Sequence, residues 1–256
     1  MKKMNLFWGF LTLLTLPTIF IACDDDDDDF VYYTDMATVK DMNGQWILLG
    51  DECGELVPDN TALLKANDAD KDGQRIIAAF DYDDKENRNN KKIELYDIYR
   101  VLTKDFYQLP ENDEHKADSI GNDPIAISRI LTSPEHINIQ FVINGDNSNI
   151  KHFINLISVG ENPEPDASGV LKVELRHNNE GDHPRMRQWG WAAFTLKSIP
   201  GYTEGKTKKL SIKVYEGNGT EKTILYDLKE DKNENKKLDR QTKEDAISNF
   251  SSTKAK

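Results

Sequence analysis

The chain is poor in features that would commit it to one chemistry. Two cysteines in 256 residues cannot staple a disulfide-dense scaffold. Basic residues number 33 against 45 acidic ones, a formal charge of −12. A general nucleic-acid binder needs a basic face for phosphates, so no nucleic-acid partner is expected. A Gly-x-Ser-x-Gly nucleophile elbow is missing. Cys53 has no neighbouring His or Lys along the chain to activate its thiol. It reads as a turn residue or a partly buried thiol, with an intermolecular disulfide as the alternative. Carboxylate pairs abound in so acidic a chain, so closeness in sequence says nothing about glycosidase chemistry. No catalytic residue is assigned, and the chain is expected not to be an enzyme. Hydrophobic residues make up 38%, low but compatible with globular structure once polar ends are set aside. The length suits one large or two small domains.

What the chain does have begins at its N-terminus. Lys2 and Lys3 precede an almost wholly apolar stretch, Met4 to Ile21, which ends at Ala22-Cys23 and is followed by six aspartates, Asp24 to Asp29. Charge, apolar core, small residue and cleavage point is the order of a signal peptide. A cysteine directly after the small residue makes Phe20-Ile21-Ala22-Cys23 resemble a bacterial lipobox, with Phe20 in place of the usual Leu. Residues 1–22 are then the signal peptide, and Cys23 the lipidated first residue of the mature chain. Its acyl chains exceed the two-signal requirement for stable membrane anchoring. The alternative is an uncleaved anchor, since about 18 apolar residues can span a bilayer. The aspartates of the 23–29 segment form a self-repelling, extended tether. Acidic residues just after a lipidated Cys also resemble the surface-export signal of Bacteroidetes lipoproteins. That implies an outer-membrane, cell-surface location.

From Phe30 onward the pattern is β. Phe30–Val39, Trp46–Leu49, Glu55–Val57, Arg75–Tyr82 and Ile93–Thr103 read as strands, with Asp51 to Gly54 as a hairpin turn. About five short strands without a helical period predict a small barrel over residues 30–110. Residues 111–124, acidic and polar with Gly121 and a proline towards each end, read as a linker. Alternation at Ile137/Ile139/Phe141/Ile143, Leu171/Val173/Leu175 and Leu210/Ile212/Val214 marks half-buried antiparallel strands. With Ile125–Leu131, His152–Val159, Trp189–Leu196 and Thr223–Leu228, seven strands predict a sandwich over 125–228. Glu216 to Thr220 is a hairpin connection. Residues 229–256 form a charged mobile tail, with room for a short helix over Lys236–Ser248. The expected fold class is therefore all-β: a small OB-like barrel, then an antiparallel β-sandwich.

The lipobox with its acidic run, Ala37-Thr38-Val39, Asp72-Gly73-Gln74-Arg75-Ile76, Tyr96-Asp97-Ile98-Tyr99 continuing to Leu102-Thr103, and Arg176-His177-Asn178-Asn179 with Gly181-Asp182 occur in one order. Together they resemble the NigD-like lipoproteins of Bacteroidetes, up to about Leu228. That resemblance implies an N-terminal OB-type barrel, a C-terminal β-sandwich and a bacteriocin-associated setting. It implies no catalytic residues.

Four smaller constellations remain. Asp68, Asp70 and Asp72 before Gly73 match the first half of an EF-hand loop, but its closing position is Ala79. The readings are a weak calcium site completed by a distant carboxylate, or a tight acidic turn; no other cofactor is expected. His177, Asp182 and His183 could supply zinc ligands or cap a turn. Arg185, Arg187, Trp189 and Trp191 alternate, so as a strand they share one face. That face is either a glycan-stacking platform or tryptophan core with an arginine rim. Asp118-Ser119-Ile120 resembles a short O-glycosylation motif of Bacteroidetes exported proteins, with Ser119 as acceptor. The partner is then an unidentified protein or glycan, met at a membrane held through Cys23.

Overall fold

The computed structural model describes residues 31–84, 88–109, 113–147, 149–159, 162–228 and 241–242. The signal segment, Cys23, the aspartate run and, apart from residues 241–242, the tail lie outside the described residues.

The first half is a five-stranded barrel. Its strands are β1 (Val31–Met42), β2 (Gln45–Gly50), β3 (Gly54–Pro58), β4 (Arg75–Tyr82) and β5 (Lys92–Arg100), paired in the order β1-β2-β3-β5-β4. A further β4–β1 pairing closes the ring. Closure depends on the length of β1. Tyr33 to Thr38 pair with β4, and Ala37 to Met42 pair with β2, so one strand serves both neighbours. Asn43 and Gly44 turn β1 into β2 with φ of 57° and 90°, the two-residue geometry that matches strand twist. A short helix, α1 (Ala62–Ala66), joins β3 to β4 and buries Leu64. The barrel core includes Val39, Leu48, Leu56, Ile76, Phe80, Ile93 and Leu95.

The expected long strand Ile93–Thr103 is cut at Val101. Its backbone N–H donates to Arg75 O at 3.0 Å, and its side chain is buried beside Met36 and Trp191. Beyond it the chain leaves the barrel. Strands β6 (Leu102–Lys104) and β7 (Tyr107–Leu109) belong to the two sheets of the sandwich.

Strands β8 (Ala126–Thr132), β9 (His136–Gly145), β10 (Phe153–Val159), β11 (Val170–Asn178), β12 (Met186–Thr195), β13 (Lys209–Gly217) and β14 (Thr220–Asp227) complete the sandwich. One sheet runs β14-β13-β11-β10-β7 and the other β6-β12-β9-β8. Antiparallel pairs dominate, as expected, but β7–β10, β11–β13 and β6–β12 run parallel. The reason is connectivity: β6 and β7 arrive as single passes from the barrel, and β12 in the opposite sheet separates β11 from β13. Gly217 and Thr220 close the β13–β14 hairpin around Asn218-Gly219, the turn expected from the sequence. The alternating apolar residues of both sheets meet in one core, Ile137, Ile139, Phe141, Leu171, Val173, Leu210 and Ile212 among them.

Residues 113–121 dock on the sandwich. Asp113 caps α2 (Glu114–Ile120) by accepting from Lys116 N, and Ile120 is buried with Leu109 and Ile157. A two-residue strand, β15 (Gln241–Thr242), pairs with Val31 and Tyr32. Among the described residues no helix is long and apolar enough to cross a membrane.

Candidate functional site

Two places concentrate polar chemistry inside the fold: the contact between barrel and sandwich, and one end of the sandwich.

At the contact, Arg75 is wholly buried at the start of β4. Its guanidinium donates to Asp51 through both Nη atoms, with Nη1 2.9 Å from Oδ1. Nη1 also reaches Thr38 Oγ1 at 3.1 Å, and Nε reaches Asn138 Oδ1 of the sandwich at 3.3 Å. A buried charge needs this degree of pairing. Around it lies an apolar seam. Met36, Ile77, Tyr99 and Val101 from the barrel side meet Leu131, Trp189, Trp191 and Ala193 of the sandwich. The rings of Tyr99 and Trp189 lie 6.1 Å apart at 31°.

The seam corrects the platform reading of Arg185, Arg187, Trp189 and Trp191. Trp191 is only 6% exposed and Trp189 is half-buried. Their face of β12 is covered by the barrel. Arg185 and Arg187 are exposed at the far end of the strand, where Arg185 pairs with Asp146 at 3.5 Å. The alternation was legible; what covers the face was not.

At the sandwich end, His152, His177 and Asp182 form a buried relay. The Pro124 carbonyl can only accept, so His177 Nδ1–H donates to it at 3.0 Å. His177 Nε2 then accepts from His152 Nδ1 at 2.9 Å, and His152 Nε2 lies 3.1 Å from Asp182 Oδ2. The chain is satisfied when His152 donates from both ring nitrogens. Asp182 also accepts from the backbone N–H groups of Asp146, Asn147 and His183. Those donors, Asp146 first, hold its carboxyl down at about 2. Burial pushes His177 down to about 4. The sequence offers His177, Asp182 and His183 as zinc ligands or as turn caps, and Asp182 acts as a cap of the Asp146–Asn147 turn. His183 is exposed, and the true intermediary, His152, lies 25 residues away from His177, beyond the reach of spacing arguments. With its ring nitrogens and carboxylate engaged within the protein, this cluster is a staple between the β9 loop and β10–β11.

The aspartates of the EF-hand-like stretch are not gathered as ligands. Asp72 Oδ1 accepts from Asp41 N at 3.0 Å, Asp68 sits at a positive φ after α1, and Ala79 is buried in β4. Among the described residues no three His, Cys, Asp or Glu side chains are placed to hold a metal. Cys53 is half-buried and free. Burial and the adjacent Asp35 push its thiol up to about 12, which leaves it protonated and inert. Ser119 is exposed on α2, its hydroxyl donating to Lys116 O at 2.9 Å.

Residues 108–228 match the family model described as NigD-like C-terminal beta sandwich domain, which bears out the NigD-like resemblance over that span. The chain is similar to a solved protein of unknown function from Bacteroides vulgatus, at 24% identity and TM-score 0.59, over 77% of this chain and 90% of that one. It is similar to one described as toxin-related from Parabacteroides distasonis, at 26% identity and TM-score 0.57, over 77% and 94%. It is also similar to a NigD-like immunity protein from Bacteroides caccae, at 16% identity and TM-score 0.54, over 76% and 96%. Comparison with curated proteins gives no match.

Proposed function

We propose that this chain, whose residues 108–228 form a NigD-like C-terminal β-sandwich domain, is a non-enzymatic lipoprotein. It is anchored to the outer membrane through acylated Cys23, displayed on the cell surface, and acts as a binding module in protection against a protein toxin. One observation carries the reading: a lipobox-like Phe20-Ile21-Ala22-Cys23 followed by Asp24 to Asp29 stands on the same chain as the NigD-like sandwich. The two similar structures described as toxin-related and as an immunity protein support the protective setting. The closed His152–His177–Asp182 relay supports a binding role over catalysis, because its hydrogen-bonding groups are spent on the protein's own backbone and side chains.

The test is genetic and direct. Fatty-acid labelling is expected for the wild-type chain and absent for Cys23→Ala, and the wild type is expected to be open to protease added to intact cells. Replacing Asp24 to Asp29 with Asn is expected to leave labelling intact and abolish surface exposure. Deletion is expected to raise sensitivity to a toxin produced by neighbouring cells. Labelling that survives Cys23→Ala would overturn the anchor, and unchanged sensitivity to all such toxins would overturn the protective role.

A further inference from the structure

Beside the barrel–sandwich seam lies a cleft of about 420 Å³. Lys40 and Lys71 of the barrel, Lys104 of β6, and Glu135, His136 and Lys197 of the sandwich wall it, with Asp72 and Asp105 at its side. In a chain of net charge −12, four lysines here meet three carboxylates, which leaves one positive charge when His136 is neutral. Two of the lysines are engaged. Lys40 pairs with Glu135 at 3.3 Å, and Lys104 Nζ donates to Ile154 O at 3.1 Å and to Asn155 Oδ1. Lys71 and Lys197 are exposed and have no ion pair among the described residues. His136 is only 4% exposed, and its Nδ1 is enclosed with no hydrogen-bond partner among the described residues. Buried polar atoms are as a rule partnered, and an unpartnered one asks for an explanation.

We propose that this cleft binds a small organic carboxylate of about monosaccharide size, its carboxylate held by Lys71 and Lys197 and a hydroxyl or amino group hydrogen-bonded to His136. The volume falls in the range of small-molecule sites, about 300–1,000 Å³. A single surplus positive charge suits a monoanion better than a phosphate dianion. Burial, with Arg75 nearby, pushes His136 down to about 4, so the ring is neutral near pH 7. It then offers one donor and one acceptor on different edges of the ring, and a ligand hydroxyl or amino group pairs with whichever of the two faces the cleft. The site concerns the junction alone and is independent of the anchor and of the toxin reading.

Titration of the purified full chain in detergent, followed by calorimetry and by the His136 ring resonances, tests it with four probes: glucuronate, glucose, glucose 6-phosphate and inorganic phosphate. Glucuronate is expected to bind and to shift the His136 signals, with glucose about tenfold weaker or worse, the loss of one good ionic contact. The double variant Lys71→Ser, Lys197→Ser is expected to lose about tenfold or more in affinity for glucuronate, with an unchanged circular dichroism spectrum. His136→Gln should weaken binding as well; if that variant does not fold, the exposed lysine pair decides. Equal binding of glucose and glucuronate, no binding of glucuronate, or full affinity in the double variant would overturn the proposal. Tighter binding of either phosphate probe would overturn the carboxylate assignment. None of these failures touches the lipidation result.

Discussion

Arg75 carries its charge into a place with no solvent exposure, and Asp51, Thr38 and Asn138 answer it. Removing one partner of a buried pair strands the other. Arg75→Met is therefore expected to lower unfolding free energy by about 3 kcal/mol, the low end for such pairs because Asp51 keeps some exposure. The double variant with Asp51→Asn is expected to lose less than the two single losses together, read by urea denaturation as a double-mutant cycle. Three other buried groups set the acid response with opposite signs. His177 and His136 are held near 4 by burial, below the ordinary value of 6.5, so the unfolded chain takes up protons first as pH falls. Stability from these residues is lost between about pH 6.5 and 4. Asp35, raised by burial to about 6 from 3.8, holds its proton in the folded state, so its contribution grows as pH falls through the same range. Asp35→Asn removes that offset. Its urea midpoint is expected to fall more steeply between pH 6.5 and 4 than the wild-type midpoint; an equal slope would contradict this assignment. None of these pairings was legible in sequence, since burial and long-range partners set them.

At the scale of elements, strand alternation was a sound guide. Arg75–Tyr82, the Asp51–Gly54 turn and the hairpin at Asn218-Gly219 lie where period and turn residues placed them. The failure at Ile93–Thr103 has a physical cause: a run of strand-forming residues records β propensity, not which sheet each residue joins. The segment 111–124 shows the same limit. Its composition is that of a linker, yet α2 packs on β10 and β11, with Asn178 Nδ2 donating to Ser119 O at 2.8 Å. Gly121 makes the approach feasible. It has φ 75° and ψ 173°, a conformation open essentially to glycine, and a Cβ there would lie 2.6 Å from His177 O. Gly121→Ala is expected to cost about 2 kcal/mol or more, with amide shifts spreading from α2 into the β11 end and the His152–His177 relay. Shifts confined to residues next to 121 would argue against this docking.

For the whole molecule, the described residues between Val31 and Leu228 form one compact unit, and the seam with Trp189 and Trp191 joins barrel to sandwich through core side chains. Tryptophan fluorescence and far-ultraviolet dichroism are therefore expected to report one coincident thermal transition. An early melt of the barrel, seen as a fluorescence change completed while much of the dichroism remains, would refute that coupling. The sequence by itself determined the all-β class and most strand positions, because these rest on local period and turn chemistry. The tertiary structure alone decided that Trp191 is seam and not platform, that His152 stands between His177 and Asp182, and that Lys71, Lys197 and His136 share a cleft. Those outcomes depend on contacts between residues tens of positions apart. Only the closed barrel and the packed sheets bring such residues together.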